Sequence, residues 1–147
     1  MAQRNSTGAE PTLGQEERLV VVAAAVVEQG RLLVVSKKAA PNVFYLPGGK
    51  PDPGETSAEA LARELDEELG VQPVEPQFLA VVEAVAALER VPMHMTVFTA
   101  GISSLPRPAA ELADMRWING DEPDVQLAPA VQDQVLPLLK RSGLLAA

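Results

Sequence analysis

Between Gly49 and Val71 the chain reads GKPDPGETSAEALARELDEELGV, a stretch in which a constrained loop runs directly into a helix. Gly48 to Gly54 carries three Gly and two Pro, a composition that demands unusual backbone angles. Thr56 then suits an N-cap, and Glu59 three residues on completes a capping box. Leu61, Leu65 and Leu69 recur at i, i+4 and i+8 as an apolar stripe. Gly70 fits the left-handed position that ends a helix, with Val71 placed for the accompanying hydrophobic contact. The spacing predicts a helix over Ser57–Leu69.

Three acids of that helix need a separate reason. Glu64, Glu67 and Glu68 fall within roughly a 100° arc beside the leucine stripe. Like charges at such spacings repel and destabilise a helix, so stability alone does not select them. A divalent cation removes the conflict, because carboxylate oxygens suit Mg²⁺, Mn²⁺ or Ca²⁺. From spacing alone, an ordinary solvated acidic face is the competing reading.

Working outward, Leu19 to Val27 is continuously apolar and Val-rich, as expected of a strand buried on both faces. Glu28-Gln29-Gly30 breaks it before Arg31 to Ser36, so the pair reads as a hairpin. Lys37 to Asn42 reads as a loop and Phe44-Tyr45-Leu46 as a short strand stopped by Pro47. Gln77 to Ala87, Pro92 to Ala100 and Met115 to Ile118 read as strands, with a Pro-containing loop over Ile102 to Ala113. Pro129 to Arg141 reads as an amphipathic helix bent at Pro137. Strands on both sides of a central helix, with a second helix at the end, predict an α+β fold and no regular βαβ repeat.

Composition narrows the function classes. The 147 residues hold 20 acidic and 12 basic side chains, a formal net charge of −8, which argues against a general nucleic-acid binder. Aromatics are 3%, too few for an RNA base-stacking surface. Apolar residues make up 47%, enough for the core of one domain. Without cysteine the chain has no disulfide, thiolate zinc site or Cys nucleophile. Residues 1–17 are polar and read as a disordered tail ahead of one domain over 18–147. They contain no signal-like apolar run, and the nine residues of Leu19 to Val27 fall short of the about 20 that cross a bilayer. The expectation is a cytoplasmic chain with no membrane contact.

The stretch Gly49 to Val71 resembles the Nudix box, G-x5-E-x7-R-E-U-x-E-E-x-G-U with U aliphatic, at every defined position. Gly49, Glu55, Arg63, Glu64, Leu65, Glu67, Glu68, Gly70 and Val71 fill the slots, and the ELADMRW segment before Ile118 is similar to the acid-then-tryptophan stretch of MutT-type members. The resemblance implies an α/β/α sandwich around a mixed β-sheet. It also implies metal-dependent hydrolysis of the P–O–P bridge in a nucleoside diphosphate linked to another group. By position, Glu64, Glu67, Glu68 and the Gly48 carbonyl look like ligands of Mg²⁺ or Mn²⁺. Arg63 and Glu55 look like the family's internal ion pair, structural or chemical in role. Glu64, Glu67 or Glu111 is the candidate general base, with Asp114 as a competitor.

Lys37, Lys38 and Lys50 are candidate phosphate contacts, although loop lysines also serve solubility. Tyr45, with Phe44 beside it, is a candidate base-stacking residue, although an aromatic there also packs. His94, the sole histidine, belongs to no visible triad, and Met93, Met95 and Trp117 read as core. An intact box speaks against a catalytically silent Nudix binding module, and the lack of Cys speaks against diphosphate isomerase chemistry. A proline some 15 residues past the box marks ADP-ribose hydrolases. Here Pro92 lies 21 residues past Val71. The expected activity is therefore a nucleoside triphosphate pyrophosphatase of the sanitising type, with ADP-ribose or a nucleotide sugar as the alternative. The expected partner is a small nucleotide and no long nucleic acid, with the chain a monomer or homodimer.

Overall fold

A computed structural model describes residues 18–145, so the tail expected over residues 1–17 lies outside the described residues. Strands β1 (Leu19–Glu28), β2 (Arg31–Lys37), β3 (Ala40–Tyr45) and β4 (Gly48–Gly49) precede helix α1 (Ser57–Leu69). Strands β5 (Pro73–Val85), β6 (Pro92–Ile102), β7 (Leu112–Ile118) and β8 (Gln126–Leu127) follow. A π-helical turn, Val131–Val135, then leads into α2 (Leu136–Arg141).

The strands form one mixed sheet in the order β5-β6-β1-β2-β3-β8, with β4 beside β1 and β7 beside β2. β1 runs parallel to β6 from Leu19↔Met93 to Val26↔Ala100. This sheet buries both faces of β1. Val22, Ala24 and Val26 pack with Leu61, Leu65 and Leu69 of α1. Ala23 and Ala25 pack on the other face with Val131, Val135, Leu136 and Leu139 of the C-terminal turns. Two helices on opposite faces of a mixed sheet make the expected α/β/α sandwich.

The helix over Ser57–Leu69 and its capping box form as the spacing predicts. Long-range pairing moves several other boundaries. The expected hairpin pairs only at its tip, Val27↔Leu32 and Glu28↔Arg31, because further along, the edge of β1 opposite β6 is taken by β4, at Val22↔Gly49 and Ala23↔Gly48. The loop expected over Lys37 to Asn42 shrinks to a turn at 38–39, since β3 pairs back onto β2 from Ala40. β5 begins at Pro73 instead of Gln77; it is a terminal strand of the sheet, where a proline's missing N–H leaves no bond unmade. It ends at Val85, and Ala86 closes the turn by donating to the Val91 carbonyl at 2.9 Å. β7 starts at Leu112 instead of Met115 because β2 offers it a full partner, Lys37↔Leu112 to Leu32↔Ile118. The C-terminal helix differs as well. The bend expected at Pro137 is replaced by the π-helical turn just before it, in which the Leu136 amide donates to the Val131 carbonyl. Pro137 then sits in the first turn of α2, where its lack of an N–H costs nothing.

Candidate active site

The box loop is held to α1 by one guanidinium. Arg63 Nε and Nη2 fork onto Glu55 Oε2 and Oε1 at 2.8 and 2.9 Å, and Nη2 also donates to the Lys50 carbonyl at 3.0 Å. Glu55 further accepts the Asp52 amide at 2.7 Å, and Asp52 Oδ2 lies 3.3 Å from Arg63 Nε. The Arg63 bonds, then the Asp52 amide, hold the Glu55 carboxyl down to about 2. A bidentate pair of this kind fixes orientation as well as charge, so the loop cannot swing independently of the helix.

The three box acids experience different surroundings. Glu67 is largely exposed, with Oε1 3.5 Å from Arg63 Nη1. Glu64 is mostly covered and meets the same nitrogen at 3.1 Å. A Cβ added to Gly49 would stand 2.4 Å from the Glu64 carboxyl carbon, so any side chain there would push the Glu64 carboxylate aside. Glu68 is 4% exposed and accepts the Gly48 amide at 3.2 Å. Burial pushes its carboxyl up to about 8; the Gly48 amide and Lys37 oppose the shift, while Glu64 and Glu111 reinforce it. Burial likewise raises Glu64, against the pull of Arg63 and with the push of Glu67 and Glu111.

Glu111 reaches this group from the turn before β7. Its backbone carbonyl accepts the Lys38 amide at 2.9 Å, and its Oε1 lies 3.7 Å from Lys37 Nζ. Asp114 instead accepts its own neighbour's amide, Met115, at 2.8 Å and faces Arg116 at 4.0 Å. Of the turn acid Glu111 and the β7 acid Asp114, Glu111 is the one whose charge bears on Glu64 and Glu68.

Across the β4 glycines from these acids lies a cavity of about 110 Å³ with mostly apolar walls, including Val21, Met93 and Met95. Lys37 and Tyr45 line it, with Lys37 Nζ 5.9 Å from the centre of the Tyr45 ring. The Tyr45 hydroxyl is buried with no hydrogen-bond partner among the described residues. Lys38, in the turn between β2 and β3, and Lys50, just after β4, are exposed and outside the cavity lining. Phe44 is core, beneath the Arg116 guanidinium. His94 pairs with Glu83 at 3.1 Å on the other side of the sheet from the cavity. The sequence reading missed Glu89, which joins the cavity wall from the turn between β5 and β6. A single acid in a hairpin turn carries no local signal. Met93 and Met95, expected as core, also prove to be cavity wall.

A family model described as the NUDIX domain matches residues 17–139. The chain belongs to the Nudix family. The human protein named 8-oxo-dGDP phosphatase NUDT18 is 42% identical over 66 residues, which are 44% of this chain and 20% of that protein. The chain thus matches about a fifth of the length of that curated relative. Among solved structures, the MutT NUDIX hydrolase from Burkholderia pseudomallei is 31% identical. That match covers 76% of this chain and 90% of the other at a TM-score of 0.66. The E. coli ORF135 protein is 25% identical over 84% of this chain and 87% of the other, with a TM-score of 0.64.

Nudix hydrolases use divalent metal ions and act on small nucleotides. Among the described residues, no three His, Asp or Glu side chains converge closely enough to hold a metal as they stand. The reason is visible: Arg63 Nη1 sits against both Glu64 and Glu67, while Glu68 is turned to the Gly48 amide. The donor chemistry nevertheless fits a hard divalent cation. The donors are oxygens, and Glu68 is buried beside two like charges with one backbone N–H to compensate. No described helix is long and apolar enough to cross a membrane.

Proposed function

We propose that this Nudix chain hydrolyses the P–O–P linkage of a small nucleoside triphosphate, with Mg²⁺ or Mn²⁺, as a nucleotide-sanitising pyrophosphatase. Residues 18–147 act as one domain in this reading. The observation that carries it is the pairing of buried Glu68, beside Glu64 and Glu111, with an apolar cavity across two glycines. The name of the human relative, an 8-oxo-dGDP phosphatase, supports the nucleotide class.

Glu64, Glu67, Glu68 and the Gly48 carbonyl are the proposed ligands. A divalent cation held there would neutralise phosphate charge and acidify a bound water. Water adds to one phosphorus, the bridging P–O bond breaks, and the departing phosphate takes the electron pair. The water proton passes to a carboxylate, for which Glu111 is the exposed candidate and Glu64 or Glu67 the alternatives. Arg63, fixed by Glu55, keeps Glu64 and Glu67 on one side of α1. Lys37 at the cavity mouth, with Lys38 in the turn after β2 and Lys50 just after β4, offers cations to the remaining phosphate oxygens. Tyr45 offers a ring face to the base.

The test is a metal-supplemented hydrolysis screen over ordinary and oxidised nucleoside triphosphates, ADP-ribose and nucleotide sugars. Nucleoside triphosphates should be cleaved best, and Glu67→Gln or Glu68→Gln should cut turnover at least about 100-fold while the far-UV spectrum is unchanged. Near-parental turnover in both variants would overturn the metal assignment.

A further inference from the structure

The cavity beside the acids is apolar over most of its wall, which suits the base of a nucleotide and no part of its phosphates. Two charged side chains line it. Lys37 is already engaged, 3.7 Å from Glu111 and 5.9 Å from the Tyr45 ring centre. Glu89 is different: among the described residues no cation stands within ion-pair distance of it. Its position is set by a tight turn, in which the Arg90 amide donates to the Ala86 carbonyl at 3.0 Å with Arg90 at φ 61°. Tyr45 also lines this space, and its hydroxyl is buried without a partner among the described residues. Burial raises that phenol, and the charges of Glu68, Glu111 and Glu89 add to the shift.

We propose that Glu89 reads the base of the substrate and selects guanine-type bases by accepting two hydrogen bonds from their Watson–Crick edge. An ionised carboxylate accepts and never donates. Guanine and its 8-oxo derivative present two adjacent donors there, N1–H and the exocyclic amine. Adenine and cytosine present a donor beside an acceptor, and uracil or thymine presents one donor between two acceptors. Only the guanine pattern fills both oxygens of one carboxylate without opposing an acceptor to it. Met93 and Met95 supply polarisable walls for a flat ring. Gly48 and Gly49 belong to the cavity lining, while Glu68 accepts the Gly48 amide and the Glu64 carboxylate lies against Gly49, so the cavity and the acids share β4.

The inference rests on the nucleotide reading above, and its test separates the two. Equilibrium dialysis of GMP and AMP against the full chain, without metal, should show at least about tenfold tighter binding of GMP, the scale of hydrogen bonds to a charged group at an exposed rim. Glu89→Gln replaces one acceptor by a donor and should reduce that ratio to within about twofold. The same change should lower the dGTP-to-dATP ratio of kcat/KM about tenfold. Glu83→Gln, on the opposite side of the sheet, should leave both ratios at the parental value. Preference for GMP with no hydrolysis of any nucleotide would support the base site while the activity reading falls. Hydrolysis of all nucleotides alike, or a guanine preference that survives Glu89→Gln, would overturn the base site.

Discussion

At the scale of single residues, Arg63 is the hinge of the site. It stands within ion-pair distance of four carboxylates, Asp52, Glu55, Glu64 and Glu67, yet forks onto only one of them. That choice leaves Glu55 ionised to far lower pH than an ordinary glutamate, at about 2 against roughly 4.3 in an unfolded chain. A carboxyl depressed by folding contributes stability that is full above its unfolded value and is lost as pH falls through the folded one. The melting temperature should therefore fall between about pH 4.5 and 2 more steeply in the parent than in Glu55→Gln, and the two curves should converge at the acid end. Curves that stay parallel down to pH 2 would show that the fork carries no such linkage. The residues of this clamp were legible because Glu55, Arg63, Glu64, Glu67 and Glu68 lie on one short stretch whose geometry the helix period dictates. Lys37, Tyr45, Glu89 and Glu111 come together only through strand pairing, which one-dimensional spacing does not contain.

Among the elements, α1 shows why local signals were reliable. Both capping-box bonds form, Glu59 N to Thr56 Oγ1 at 3.1 Å and Thr56 N to Glu59 Oε1 at 2.9 Å, and Gly70 ends the helix at φ 68°. Its stripe is then completed by β1, since Leu61, Leu65 and Leu69 bury against Val22, Ala24 and Val26. Thr56→Ala should cost about 1 kcal/mol, a drop of roughly 2–4 °C in melting temperature for a chain of this size, and Thr56→Asp should restore most of it. A scanning calorimetry difference under about 0.5 °C would mean that the Arg63 clamp alone secures this end of the helix. Strand boundaries were less legible for the opposite reason. β3, β7 and the start of β5 extend as far as a distant partner offers hydrogen bonds, and β8 is two residues whose only cause is the adjacent edge of β3.

For the whole molecule, the decisive quantity is where the charge lies. Between Asp52 and Glu68 seven acids face one base, so a local charge of −6 accounts for most of the net −8. Composition alone makes such a chain look averse to phosphates, whereas the fold gathers the excess on one loop and one helix beside the cavity. The repulsion there is partly internal, with Glu68 buried against Glu64 and Glu111. A divalent cation that binds the native chain relieves that repulsion and adds binding free energy that the unfolded chain lacks. At 100 times its dissociation constant the gain is about 2.7 kcal/mol, or roughly 5–10 °C in melting temperature. Simple screening is the rival explanation, and it acts equally for any salt of the same ionic strength. Mg²⁺ added to chelator-treated protein should therefore raise the melting temperature well beyond NaCl matched for ionic strength. Glu67→Gln with Glu68→Gln should reduce the Mg²⁺ response to the NaCl level, because the two ligands are gone while most of the surface charge remains. Equal shifts with Mg²⁺ and NaCl in the parent would mean that the acids form a solvated face and hold no ion.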